Sequence, residues 1–469
     1  ILSLFLEFGS APEITVYYLM AGIIAFLIGI ILHLAFNIED ETRFKHAFFI
    51  VTIVWLLFTF LASLPFIWIL SMSPLDAYFE TMSALTTTGL SVMTLPAGKS
   101  SIALLDIAPA SLIFWRSFLS WIGGLGIVLL AMLGVFGYYT RASRLIIAEG
   151  REERLKANLM NSVREIWVIY IILTIIGVVL LYLSGMEPLD AVNYSMSAIS
   201  TTGMTTTGKG LAVQNNFWVN EGVRNYWVDI SLIIIMLFGA TSFYVHSLFK
   251  KKGYKAYFKD AEFRGLLLLG LVFAIFIAPH LGAESAFFHS FSAITCGGFA
   301  LVPEPIAALW PDFVKLVLIT AMFIGGSSGS TAGGIKMARF LIFIKSIWWK
   351  AKETLLPKNA MFARKFEGMS IDSARIREIC LFILLYIVFI FIGTFVLTFN
   401  GENLTDALFE VVSAQGNAGI SVGVTHPGMN PINEIMLIIN MFVGRLEIIP
   451  IFSLLGIPAY LHGRKKLMP

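Results

Sequence analysis

Four short stretches combine glycine with small polar side chains, in register. Ser83–Ser91 reads Ser-Ala-Leu-Thr-Thr-Thr-Gly-Leu-Ser, and Ser197–Thr205 reads Ser-Ala-Ile-Ser-Thr-Thr-Gly-Met-Thr. Ser292–Ala300 reads Ser-Ala-Ile-Thr-Cys-Gly-Gly-Phe-Ala, and Ser413–Ser421 reads Ser-Ala-Gln-Gly-Asn-Ala-Gly-Ile-Ser. They align without a gap, and the seventh place is always glycine: Gly89, Gly203, Gly298 and Gly419. Glycine reaches backbone angles with φ > 0, so consecutive carbonyls can be turned to one side. A ring of carbonyls replaces the water around a monovalent cation. None of the four stretches holds a carboxylate, whereas a Ca²⁺ or Mg²⁺ route would use Asp or Glu oxygens. The chemistry on offer is the dehydration of an alkali cation.

The elements around these stretches recur as well. Ala77, Ala191, Ala286 and Ala407 each stand six places before the repeated serine. The chain is 57% hydrophobic and only 13% charged, against about 25% charged for a soluble domain. Runs such as Tyr17–Phe36 and Trp167–Leu183 are long enough for a bilayer core of about 30 Å, so the chain reads as a polytopic membrane protein. Two cysteines, Cys296 and Cys380, supply neither a disulfide framework nor metal-site spacing.

Each stretch sits in one pattern: span, half-helix, polar loop, span. The half-helices Leu75–Leu85, Leu189–Ile199, Ser285–Ile294 and Leu404–Ala414 are too short to cross and read as re-entrant. The spans before them are Ala47–Leu70, Ile166–Ser184, Phe263–Ala278 and Ile376–Phe399. The returning spans are Ala108–Phe136, Trp227–Phe249, Phe313–Trp349 and Ile432–Leu461. The expected fold is all-α, with four pseudo-repeated units around one pore: 47–137, 163–250, 262–350 and 373–462. Residues 1–46 precede them as an N-terminal hairpin, in which Ile1–Phe8 reads as the end of a first helix cut short and Ile14–Phe36 as a full span. Basic residues cluster between units, at Arg141–Lys156, Lys250–Lys259, Lys350–Lys365 and Arg464–Lys466. The positive-inside rule makes those loops and the C-terminus cytoplasmic, so the half-helices enter from outside.

A non-helical backbone at membrane depth must be buried in protein or line a wet cavity. The half-helix C-termini, each carrying roughly half a negative charge, would favour a cation there. The third returning span is too long: as one helix, Phe313–Lys350 would reach roughly 57 Å at about 1.5 Å per residue. It contains Gly325-Gly326-Ser327-Ser328-Gly329-Ser330-Thr331-Ala332-Gly333-Gly334. At about 1 kcal/mol per glycine relative to alanine, a continuous helix is disfavoured, and a break is expected below the filter. The alternative is a close helix-packing surface. Arg445, deep in an apolar span, is either an electrostatic barrier facing the cavity or a salt-bridge partner of Glu447. Lys336 is a second cationic element or a snorkelling anchor, and Arg116 reads as structural. Asp76, Asp190 and Asp406 begin half-helices, as caps or as a cation-attracting vestibule.

With these residues in view, the chain resembles the Trk/Ktr/HKT superfamily of potassium transporters, within it the TrkH-type membrane subunit. The resemblance is carried by the four stretches, by Trp115-Arg116-Ser117 through Trp121-Ile122-Gly123-Gly124, by Gly325–Lys336, and by Gly444-Arg445-Leu446-Glu447. It implies K⁺ uptake across the cytoplasmic (inner) membrane through filters at Thr87-Thr88-Gly89, Thr201-Thr202-Gly203, Cys296-Gly297-Gly298 and Asn417-Ala418-Gly419. It implies that Gly325–Gly334 with Lys336 forms an intramembrane gate. It also implies a homodimer and a cytoplasmic ring of nucleotide-binding regulatory subunits. The fourth filter lacks the threonines, and a less regular ring implies fewer or weaker ion sites. Membrane lipids are expected contacts of the basic loops; neither an organic cofactor nor a nucleic-acid partner is expected.

Two other readings compete with this one. Gly326-Ser327-Ser328-Gly329 fits a serine-hydrolase pattern, but no histidine is an obvious base. No G-x-x-x-x-G-K-[ST] occurs either, so the chain is expected not to be an enzyme. A Na⁺- or H⁺-coupled carrier would more often show inverted repeats.

Overall fold

The computed structural model describes residues 12–35, 44–94, 103–130, 152–208, 210–212, 225–302, 307–355, 357 and 363–446. Ile1–Phe8, the basic residues Arg141, Arg144 and Arg464–Lys466, and Glu447 lie outside them, as do the last parts of the first and fourth returning spans.

Among the described residues the fold is all-α but for one short hairpin. Among the described residues one span, α1 (Pro12–Ala35), precedes the four units. The first unit is α2 (Phe44–Leu70), half-helix α3 (Pro74–Leu85), the short α4 (Leu104–Ile107) and α5 (Ala110–Leu130). The second is α6 (Glu152–Leu183), half-helix α7 (Pro188–Ile199) and α8 (Tyr226–Gly239), with α9 (Phe243–Lys252) and α10 (Lys255–Lys259) following. The third is α11 (Ala261–Leu281), half-helix α12 (Ala283–Ile294), α13 (Asp312–Ile324) and α14 (Met337–Leu355). The hairpin β1 (Lys365–Phe366) and β2 (Met369–Ser370) leads to the fourth: α15 (Ser373–Phe399), half-helix α16 (Leu404–Gln415) and α17 (Pro431–Arg445).

Membrane residence is written in the exposure pattern. Among the described residues, five helices are long and apolar enough to cross a bilayer, six if α8 and α9 are taken as one. Phe26, Ile175, Ile275 and Phe391 on those spans are more than half exposed, while Ser83, Thr86, Ser197, Ser290 and Ser413 of the inner elements are fully buried. Apolar outside and polar inside is the arrangement of a multi-pass membrane protein. Each half-helix has 12 residues, about 18 Å at about 1.5 Å per residue, well short of the bilayer core.

The units close into a ring. Each half-helix packs on its own first span, and each returning helix packs on the half-helix of the next unit: α5 on α7, α8 on α12, α13 on α16, and α17 back on α3. Lipid offers no hydrophobic drive between helices, so close backbone approach has to hold them. Gly123, Gly239 and Gly444 supply it. A Cβ on any of them would run into the carbonyl of Leu85, Ile199 or Gln415, the last residue of that unit's half-helix.

Two returning spans are broken. The α13–α14 break at Gly325 follows the glycine-rich run, as the sequence implies. The second was not expected: Trp227–Phe249 reads as one span, yet α8 and α9 meet at 97° across Thr241 and Ser242. Ala240 and Thr241 there sit against the 325–336 loop instead of continuing a helix.

Gly123→Val and Gly444→Val should each lower stability by about 1–3 kcal/mol through overpacking. Gly22→Val, whose Cβ would meet nothing within 4 Å, should be neutral. Thermal melts of detergent-solubilised protein separate the two groups.

Candidate functional site: a fourfold ring of carbonyls

The four stretches share one backbone conformation. In each, the amide of the sixth residue donates to the carbonyl of the repeated serine. The distances are 2.8 Å for Thr88 to Ser83, 2.9 Å for Thr202 to Ser197, 2.7 Å for Gly297 to Ser292 and 2.9 Å for Ala418 to Ser413. The fifth residue is left-handed in every case: Thr87 (φ 54°), Thr201 (φ 55°), Cys296 (φ 52°) and Asn417 (φ 48°). This is the turn that ends helices through a left-handed residue, usually glycine. Four non-glycine residues in that region, each costing on the order of 1–3 kcal/mol, mark a conformation imposed by its surroundings.

The seventh-place glycines, φ 77–94°, meet on one axis. A Cβ on Gly89 would strike the Thr202 carbonyl oxygen, and one on Gly419 the Thr88 oxygen. One on Gly298 would stand 2.5 Å from the Thr202 oxygen and 3.0 Å from Gly203 Cα. Glycine is the one residue that fits, and the sixth-place carbonyls of different units gather at the same point. The half-helices end at this ring and aim their partial negative charge at it.

The loop rising from each filter is tied back at an equivalent position. Three places before the repeated serine stand Glu80, Tyr194, His289 and Glu410. Glu80 accepts the Val92 amide at 3.0 Å, His289 Nε2 the Leu301 amide at 3.2 Å, and Glu410 the Val422 amide at 3.2 Å. Tyr194 hydrogen-bonds Thr206, the corresponding residue of unit two. Sequence reading passed over all four, because their types differ. The available signal was a hydrogen-bonding residue in register within otherwise apolar half-helices.

Charges at the ring are fixed individually. The Arg116 guanidinium pairs with buried Glu80 and donates to the Thr205 carbonyl at 2.8 Å, so its structural reading agrees with the geometry. Glu410 is held by the Ser421 hydroxyl and by the Val422 and Thr425 amides. Asp406 pairs with buried Lys315 at 2.5 Å. Asp76 is not the cap itself: Ser73 caps α3, and its hydroxyl donates to Asp76 at 2.8 Å. Asn417 Nδ2 reaches the Thr88 hydroxyl at 2.9 Å, joining the irregular fourth filter to the first.

Below the ring lies the 325–336 loop, bound to three units. The Thr331 hydroxyl donates to the carbonyls of Ile199 and Gly239, each at 2.9 Å. The Gly334 amide donates to Gly416 at 3.0 Å, and the Ser327 amide to Ala240 at 2.9 Å. Arg445 donates to Thr331 O at 2.7 Å and to Gly123 O at 3.0 Å, so it spans from the loop to the first returning helix. Lys336 (φ 76°) turns its ammonium onto the Ala332 carbonyl within the same loop.

Comparison with known proteins fits this geometry. The profile of a family described as TrkH, cation transport protein, matches residues 17–283 and 277–457. An uncharacterized cation transporter of Methanocaldococcus jannaschii is 32% identical over 441 residues, covering 93% of this chain and 87% of that one. The Trk system potassium uptake protein TrkH of Escherichia coli K12 is 27% identical over 442 residues, covering 89% and 86%. The crystal structure of the potassium transporter TrkH from Vibrio parahaemolyticus superposes with a TM-score of 0.77 at 28% identity, covering 94% and 92%.

Breaking the buried Arg116–Glu80 pair with Arg116→Ala should cost about 3–5 kcal/mol, since it strands a buried carboxylate. Replacing both, as Arg116→Met with Glu80→Leu, should cost less than Arg116→Ala alone. Chemical or thermal unfolding of the three proteins checks the order.

Proposed function

Since the chain belongs to the TrkH family of cation transport proteins, we propose that it carries K⁺ into the cell across the cytoplasmic membrane. The observation that carries this reading is the closed ring of glycines and carbonyls on one axis. In it, the ion is held by backbone oxygens of Thr87, Thr88, Gly89, Thr201, Thr202, Gly203, Cys296, Gly297, Gly298, Asn417, Ala418 and Gly419. Backbone oxygens in place of carboxylates suit a monovalent ion, whose hydration is weak enough for neutral dipoles to replace. The role is transport and not catalysis, and K⁺ is cargo.

The loop Gly325–Gly334 with Lys336 is the gate. Its tethers to half-helix ends of units two and four support this, because it sits where an ion leaving the ring would pass. Arg445 adds a fixed positive charge at that level. The carbonyls of Thr331, Gly123 and Gly124 hold its guanidinium there, and a charge so placed opposes a cation until the loop moves. The salt-bridge alternative involves Glu447, which lies outside the described residues.

The filter faces outside and the C-terminus lies in the cytoplasm, on the strength of the basic loops. Units 47–137, 163–250, 262–350 and 373–462 act as four quadrants of one protomer. The protomer works as a homodimer with a nucleotide-binding cytoplasmic ring, as the family resemblance implies; the name Trk system, borne by its relatives, supports only that further components belong to the system. A Na⁺- or H⁺-coupled cycle would need the ring to open alternately to either side, and its tethers from every quadrant argue for a fixed filter.

Purified protein in liposomes should take up Rb⁺ down a K⁺ gradient, and Gly298→Ser should cut that uptake at least about tenfold, or about 1.4 kcal/mol. Uptake in Gly298→Ser equal to the parent would remove the ring from the pathway. Deleting 327–331 should raise uptake in the absence of any cytoplasmic partner; lower or unchanged uptake in folded protein would count against the gate. Arg445→Ala should raise unit conductance, and no change would rule out the barrier.

A further inference from the structure

Most tethers of the 325–336 loop come from the half-helices and returning helices around the ring. One comes from the opposite side. Glu262 stands in the first turn of α11 and is buried. Its Oε2 accepts the Ser328 amide at 2.7 Å and the Ala338 amide at 3.0 Å. Ser328 is in the loop, and Ala338 is in the first turn of α14, where amides have no partner within their own helix. One carboxylate oxygen therefore binds the loop and the helix after it to the start of the third unit.

The neighbouring residue extends the connection outward. The Ala261 amide donates to Glu367 Oε1 at 2.6 Å. Glu367 is at the exposed tip of the β1–β2 hairpin, in a left-handed conformation (φ 47°). The hairpin is anchored on α14: Phe366 is buried under the Lys345 ammonium, 4.9 Å from the ring centre, and Arg364 pairs with Glu353 at 2.5 Å. Hairpin, first turn of α11 and loop are thus joined by consecutive hydrogen bonds, and α14 is held at both of its ends.

We infer that Glu262 is the latch that keeps the 325–336 loop beneath the filter, and that the 365–370 hairpin is the handle through which a displacement on that face reaches it. This rests on the reading of the loop as the gate. Glu262 touches no ion; it is a positioning residue that acts through the Ser328 amide. Pulling the hairpin off α11 takes Glu367 from the Ala261 amide and frees the first turn that carries Glu262. The two amides sharing Oε2 belong to segments that can then separate, and the loop loses its lower tether.

The test measures Rb⁺ uptake into proteoliposomes and single-channel open fraction for Glu262→Ala, Glu262→Gln and Glu367→Ala, with the 327–331 deletion as reference. Glu262→Ala should raise uptake about tenfold, or about 1.4 kcal/mol in the closed–open balance. Glu262→Gln, which keeps an uncharged acceptor, should raise it less, and so should Glu367→Ala. Unit current and the Rb⁺-to-Na⁺ ratio should stay at the parent values, which a general loosening of the fold would not preserve. In the deletion background Glu262→Ala should add nothing, because the Ser328 amide is gone and the remaining Ala338 amide belongs to α14, not to the loop. If the deletion raises uptake while Glu262→Gln in monodisperse protein does not, the latch is wrong and the gate stands. If the deletion itself raises nothing, both readings fall. A changed ion ratio in Glu262→Gln would also overturn the latch, by assigning the residue to the filter's support.

Discussion

Carbonyl oxygens that face an ion are withheld from the backbone's own hydrogen bonds, and in a bilayer no solvent is at hand to satisfy the segment that carries them. Everything near the axis answers that constraint. The left-handed fifth residue turns the chain out of the half-helix while the sixth amide stays bonded to the serine carbonyl. The residue three places before that serine then grips the chain again beyond the glycine. Between these two grips only a few peptides are left to line the pathway. The returning helix of the preceding unit presses the half-helix inward, and the ring closes when α17 meets α3.

The repeat made most of this architecture legible from residues alone. Four half-helices and the break at Gly325 follow from glycine placement and segment length, which are local properties. What stayed hidden depends on partners distant in sequence. Thr87, Thr201, Cys296 and Asn417 are of three different types, yet share one backbone conformation because the turn and its neighbours demand it. Glu80, Tyr194, His289 and Glu410 perform the same fastening with a carboxylate, a phenol and an imidazole. The bend at Thr241 and Ser242 falls within a segment that reads as one span, and its partner there is the 325–336 loop, some ninety residues away in the chain: the Phe243 amide donates to Gly329 O at 3.0 Å. Arg445 was visible as a buried charge, but not its carbonyl partners, which come from two other units.

The quadrants are alike in backbone and unlike in charge. Unit one sets Arg116 against its Glu80, whereas Glu410 in unit four relies on hydroxyl and amide donors. Lys315 of unit three neutralises Asp406 of unit four. Buried pairs of this kind contribute little net stability against apolar substitutes. Their effect is on the field at the ring, which differs from side to side although the carbonyl geometry does not.

That difference has a consequence for how such a pore changes over generations. Where identical subunits build a conduit, every replacement arrives in quadruplicate, and a mildly unfavourable one is multiplied before it can be compensated. Here Asn417 occupies the place held by threonine in two sister repeats, and the polypeptide has accommodated it with bonds from its amide to the Thr88 hydroxyl and the Met441 carbonyl. Covalent linkage of the quarters therefore allows ion preference to be adjusted in increments of one side chain.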